Sequence, residues 1–120
     1  MFTILTNFPD DVLAVKASGT ITPEDYDSVM VPAVEAMIRR PFKVFISLGP
    51  DYKGLEAGAM VADIRLGIHH LKDWSRVAVV TDAAGIRDMV ILFGMFLKRP
   101  LKVFSNADYD KAKAWIGTED

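Results

Sequence analysis

The chain has 120 residues, 51% hydrophobic and 25% charged, with a formal net charge of -2 and no cysteine. That length suits one domain, 1–120, with room for a real core. The charge excludes the broad positive field that nucleic-acid binding uses, and the lack of thiols excludes disulfides, thiolate catalysis, zinc–thiolate sites and iron–sulfur clusters. The opening MFTILTNFPDD has neither the basic nor the long apolar region of a secretory signal. The longest apolar run, 89–97, is too short to span a bilayer. A soluble cytoplasmic protein is expected.

Residues 2–6 (FTILT) and 12–18 (VLAVKAS) are β-rich runs separated by the turn residues Pro9-Asp10-Asp11, a pattern that predicts an antiparallel hairpin ending at Gly19. Thr22-Pro23-Glu24-Asp25 predicts a helix start. The Thr22 hydroxyl can cap, Pro23 fits the first helical position, and the acids favour the positive end of the dipole. Tyr26, Val29, Met30, Ala33, Val34 and Met37 recur at helical spacing as the buried face. Pro32 lies inside this pattern, removes one donor and predicts a kink near 28–31. Arg39 and Arg40 suit the helix's negative end, and Pro41 stops it.

Residues 42–48 form a nearly continuous apolar strand, as expected of a central strand covered on both faces. A Gly/Pro/Asp/Tyr loop is expected over 49–55 and a second helix over 56–70. Ala57, Met60, Val61, Ile64, Ile68 and Leu71 form its inner stripe; Glu56, Asp63 and His70 lie on another. Residues 76–81 (RVAVVT) are the purest β run, and Asp82 is placed to cap a third helix over 83–97. Residues 101–104 are a last short strand and 108–116 a terminal helix. The order ββαβαβαβα predicts an α/β fold: one mixed five-stranded sheet with helices packed over it.

No catalytic motif stands out. Asp51, Asp82 and Asp108 follow the last three strands, where parallel strands place ligands. Three carboxylates there can hold Mg²⁺, but Asp is also the usual residue of caps and turns, and that reading is favoured. His69 and His70 are neighbours on one helix, about 100° apart, and cannot share a metal. Gly49, Gly54 and Gly58 match no phosphate-binding pattern. The stretch 89–97 is apolar all round, so it is either fully buried or presents a face to a partner or an apolar ligand.

In order, GTITPEDY (19–26), Val31-Pro32-Ala33, LGPDYKGLEAGA (48–59), DIRLGIHHL (63–71), RVAVVTD (76–82) and KVF (102–104) resemble the bacterial SpoIIAA-like proteins, also described as STAS/SEC14-like domains. The resemblance covers nearly the whole chain. It implies a STAS fold and action through protein–protein contact. In anti-sigma factor antagonists of that fold the switch is a phosphorylated Ser or Thr at the start of the second helix. Residues 51–57 (DYKGLEA) contain neither, and Tyr52 is the only hydroxyl there. The SEC14-like aspect implies an apolar or lipid-like small molecule between sheet and helices. Tyr52, Leu55, Phe93, Met95 and Phe96 are the residues expected to line its pocket or a partner surface. The expectation is a non-enzymatic binding domain without a cofactor or metal. It engages a partner or apolar ligand through the 49–59 loop and the second and third helices, and forms a homodimer. The alternatives are an anti-sigma-antagonist-like interaction module in signalling and, less favoured, a metal-dependent hydrolase built on Asp51, Asp82 and His70.

Overall fold

The computed structural model describes residues 1–38, 40–69, 73–97 and 100–118. Of the residues named above, Arg39, His70 and Leu71 lie outside that set, as do the side chains of Ile68, Phe93 and Phe96.

Five strands form one sheet in the order of the chain: β1 (Phe2–Ile4), β2 (Val12–Ile21), β3 (Phe42–Leu55), β4 (Trp74–Val80) and β5 (Leu101–Phe104). β1 pairs antiparallel with β2, and every later pair is parallel, which gives the expected mixed sheet. Four helices complete the fold: α1 (made of Pro23–Asp25, a π turn Tyr26–Met30 and Val31–Met37), α2 (Ala57–His69), α3 (Ala84–Leu97) and α4 (Tyr109–Gly117).

Strand alternation sorts the core into two layers. Leu13, Val15, Ala17 and Val44 face α1 and α2, meeting Tyr26, Met30, Val34 and Ala59. Val12, Ala14, Phe45, Ala78 and Val80 face the other way, under Ala112 and Ile116 of α4. Phe45 is completely buried in the layer under α4, as a residue of a covered central strand is expected to be. On the α4 side the buried Lys43 donates to the Thr118 carbonyl at 2.6 Å and pairs with Asp11 at 3.5 Å.

α1 starts as its sequence directs. Thr22 accepts from the Asp25 N–H, and the Asp25 carboxylate accepts from the Thr22 N–H, a reciprocal capping box. The expected irregularity at Pro32 takes the form of a π turn. Pro32 has no N–H for the Ser28 carbonyl, and the Val31 N–H donates five residues back to the Tyr26 carbonyl.

The expected 49–55 loop is instead strand. β3 runs on to Leu55 beside a β2 that passes Gly19 and ends at Ile21. Ala17 faces Leu48, but Gly19 faces Tyr52 and Thr20 faces Gly54. β3 therefore carries extra residues around Pro50 as a bulge, which is where the interior of a central strand tolerates a residue without a donor. Gly54 absorbs the distortion at φ 135°, a backbone conformation that residues with a side chain rarely adopt.

Candidate functional site

α1, α2 and α3 all cross the same sheet face, but they do not close over it. α2 leans on α1 and α3 leans on β5. Gly58 sets the first of these contacts, because a Cβ there would come within 2.8 Å of the Pro23 ring. Between the two helices the sheet face remains accessible as a cleft. It comprises two adjoining cavities of about 200 and 530 Å³. The first lies over the strand beginnings, lined by Phe42, Trp74, Val77 and Leu101. The second lies over the strand ends, lined by Tyr26, Tyr52, Lys53 and Ile86. Leu55, Met60, Asp63, Val79 and Met89 are among the residues that border both, so the cleft runs along the strands.

Among the described residues Asp63 is the one carboxylate in this apolar lining. The buried Tyr26 hydroxyl donates to its Oδ1 at 2.9 Å. Tyr26 in turn stacks edge-on against Phe2, with ring centres 5.1 Å apart. The Asp63 carboxyl is open to the cleft but enclosed by protein on its other sides. That enclosure pushes its pKa above the ordinary carboxylate value, and the bond from Tyr26 only partly offsets the rise. Burial, and then the charge of Asp63, raise the pKa values of the Tyr26 and Tyr52 hydroxyls. The sequence pattern had set Asp63 on a stripe with Glu56 and His70, away from the inner face. The missed signal is its position one turn after Met60, at the margin of the apolar stripe, together with the need of a buried Tyr for a partner.

The expected site residues divide. Tyr52 and Leu55 line the cleft, from β3 rather than from a loop. Met95 is 74% exposed and lies outside both linings. For Phe93 and Phe96 only the backbone, within α3, belongs to the described set. α3 is not plain core: Leu92 is 67% exposed, and Ile91 is exposed beside it.

The strand-end aspartates do not meet. Asp51 is paired with Lys16 at 3.9 Å. Asp82 does not cap α3. It accepts from the Asn106 backbone and side chain at 2.9 and 3.1 Å, and the Thr81 hydroxyl takes the Ala83 N–H instead. Asp108 starts α4 without a capping bond and pairs with Lys111 at 3.6 Å. Among the described residues no cluster of His, Asp and Glu is placed to hold a metal ion, and no helix is long and apolar enough to cross a membrane.

The sequence profile described as SpoIIAA-like matches residues 12–117. The chain belongs to the SpoIIAA-like family. The SpoIIAA-like fold is also that of an uncharacterized protein of the DUF3478 family from Shewanella loihica PV-4, seen in a crystal structure. That protein is similar at 28% identity and a TM-score of 0.78, over 96% of this chain and 93% of the other. No curated protein matches this SpoIIAA-like chain.

Proposed function

We propose that the protein is a non-enzymatic binding domain whose cleft, between the sheet and helices α2 and α3, takes up an apolar, lipid-like small molecule. One observation carries the reading: an apolar channel lies along a central sheet with a single carboxylate–tyrosine pair on its wall. Ligand pockets combine this kind of lining with a few grouped polar atoms. The apolar wall of α2 and α3 loses its contact with water when such a molecule enters, which is the driving force for uptake. The test is extraction of purified protein into organic solvent followed by mass spectrometry, with melting curves in single-chain amphiphiles, fatty acids included. A bound amphiphile, or stabilisation of about 2.7 kcal/mol at a hundredfold excess over Kd, is expected. Protein that is free of amphiphile and whose melting no amphiphile shifts overturns the reading.

A second reading has its own observation. Ile91, Leu92 and Met95 expose adjoining apolar surface on α3, which favours pairing of two copies through that helix. Leu92→Glu is then expected to raise the monomer fraction in light scattering with little change in melting, because the residue is mostly outside the core. An unchanged mass removes this reading.

A further inference from the structure

The polar groups of the cleft gather in the cavity over the strand ends, with Asp63 on the border of both cavities, and their balance is specific. Asp63 Oδ1 accepts the Tyr26 hydroxyl. Among the described residues no other donor reaches the carboxylate, and no lysine, arginine or histidine forms an ion pair with it. Tyr52 and Lys53 border the same cavity from β3, and Lys53 is exposed at its rim. Asp63 is exposed to the cleft, and it shares that wall with Met60, Val79 and Met89 rather than with a cation.

We propose that the ligand of this cleft is a single-chain amphiphile with a cationic amine head, bound with the head on Asp63 beside Tyr26 and Tyr52 and the chain along the sheet between α2 and α3. The inference rests on the reading of the cleft as a ligand site. An ammonium supplies what Asp63 lacks: a counter-charge and up to three donors, in surroundings that strengthen a charge-assisted hydrogen bond. A hydroxyl head supplies a donor without charge. A carboxylate head meets Asp63 as a like charge and finds, among the described lining residues, only Lys53 at the rim. The orientation follows from the lining, since the cavity over the strand beginnings is the one that extends away from the polar group, toward Trp74 and Leu101.

The test is calorimetric titration with dodecylamine, dodecanol and dodecanoate, each kept below its micelle-forming concentration or solubility limit. Each is run on the wild type, Asp63→Asn and Lys53→Met. Asn keeps an acceptor for Tyr26, so the fold is expected to survive, and melting curves check it. Dodecylamine is expected to bind at least about tenfold more tightly than dodecanoate, the scale of one charge-assisted bond. Asp63→Asn is expected to abolish that preference while changing dodecanol binding less than about twofold. Amine affinity is expected to rise with pH as Asp63 ionises, with Tyr26 and Tyr52 staying neutral and Lys53 set apart at the rim. Dodecanoate binding as tightly as the amine, and lost in Lys53→Met, overturns the amine assignment while leaving the cleft reading intact. If none of the three binds, both fall.

Discussion

At the scale of single residues, Asp63 is a group whose folded environment works against its charge. Its pKa is raised in the fold, chiefly by enclosure. Between the ordinary carboxylate value, about 3.9, and the raised one, the folded protein binds more protons than the unfolded chain. Stability therefore falls as pH rises through that interval, and the loss persists at neutral pH. Asp63→Asn removes the titration while keeping an acceptor for the Tyr26 hydroxyl 2.9 Å away. The expected outcome is a variant at least as stable as wild type at pH 7, with a flatter dependence of melting temperature on pH above about 4. Melting curves at half-unit pH steps measure it, and a variant that loses stability at pH 7 sinks the idea. Removing the partner instead leaves the carboxylate without its donor. Tyr26→Phe is expected to cost about 1.5–3 kcal/mol by denaturant titration, the usual scale for a lost bond to a charged group.

At the scale of elements, β3 decides where the cleft has its polar end. Its continuation past Leu48 carries Tyr52 and Leu55 to the cleft wall, and the bulge beside Gly19 sets their phase. Gly54, at φ 135°, is the hinge of that register. Gly54→Ala is expected to cost about 1–3 kcal/mol, read as a lower denaturant midpoint. If the midpoint does not move, the conformation at Gly54 is not what holds the register. The order of strands and helices was legible because apolar runs such as 76–81 and helical spacings such as that of Tyr26, Met30, Val34 and Met37 each select one period. The extent of β3 was not, because Gly, Pro and Asp over 49–54 have the composition of a loop, and a bulged strand admits the same residues. Tyr52 and Leu55 were legible from their place after a central strand. Asp63 was hidden because its partner is 37 residues away in sequence, and a lone acid on a helix normally faces water. The π turn at Pro32 falls between these cases: the missing donor foretold a defect, but only the fold shows which one.

At the scale of the whole molecule, the two sheet faces are built to different standards of packing. Val79 and Ala78 are neighbours on β4 that point to opposite sides. Ala78 is completely buried under α4, in the layer of Phe45 and Ile116. Val79 is only 6% exposed, yet both cavities of the cleft border on it. Extra volume has nowhere to go at Ala78, so Ala78→Leu is expected to cost about 1–3 kcal/mol or more by overpacking. At Val79 the same kind of change extends into accessible space. Val79→Phe is expected to hold stability or raise it by about 0.5–2 kcal/mol, as cavity-filling substitutions do. The same substitution occupies the middle of the channel where sheet, α2 and α3 converge, so it is expected to abolish uptake of single-chain amphiphiles. Denaturant midpoints for both variants, with amphiphile titration of Val79→Phe, separate a cleft maintained for binding from slack in the core. A Val79→Phe protein that is destabilised as much as Ala78→Leu shows that the two faces are packed alike, and one that still binds amphiphiles places their site elsewhere.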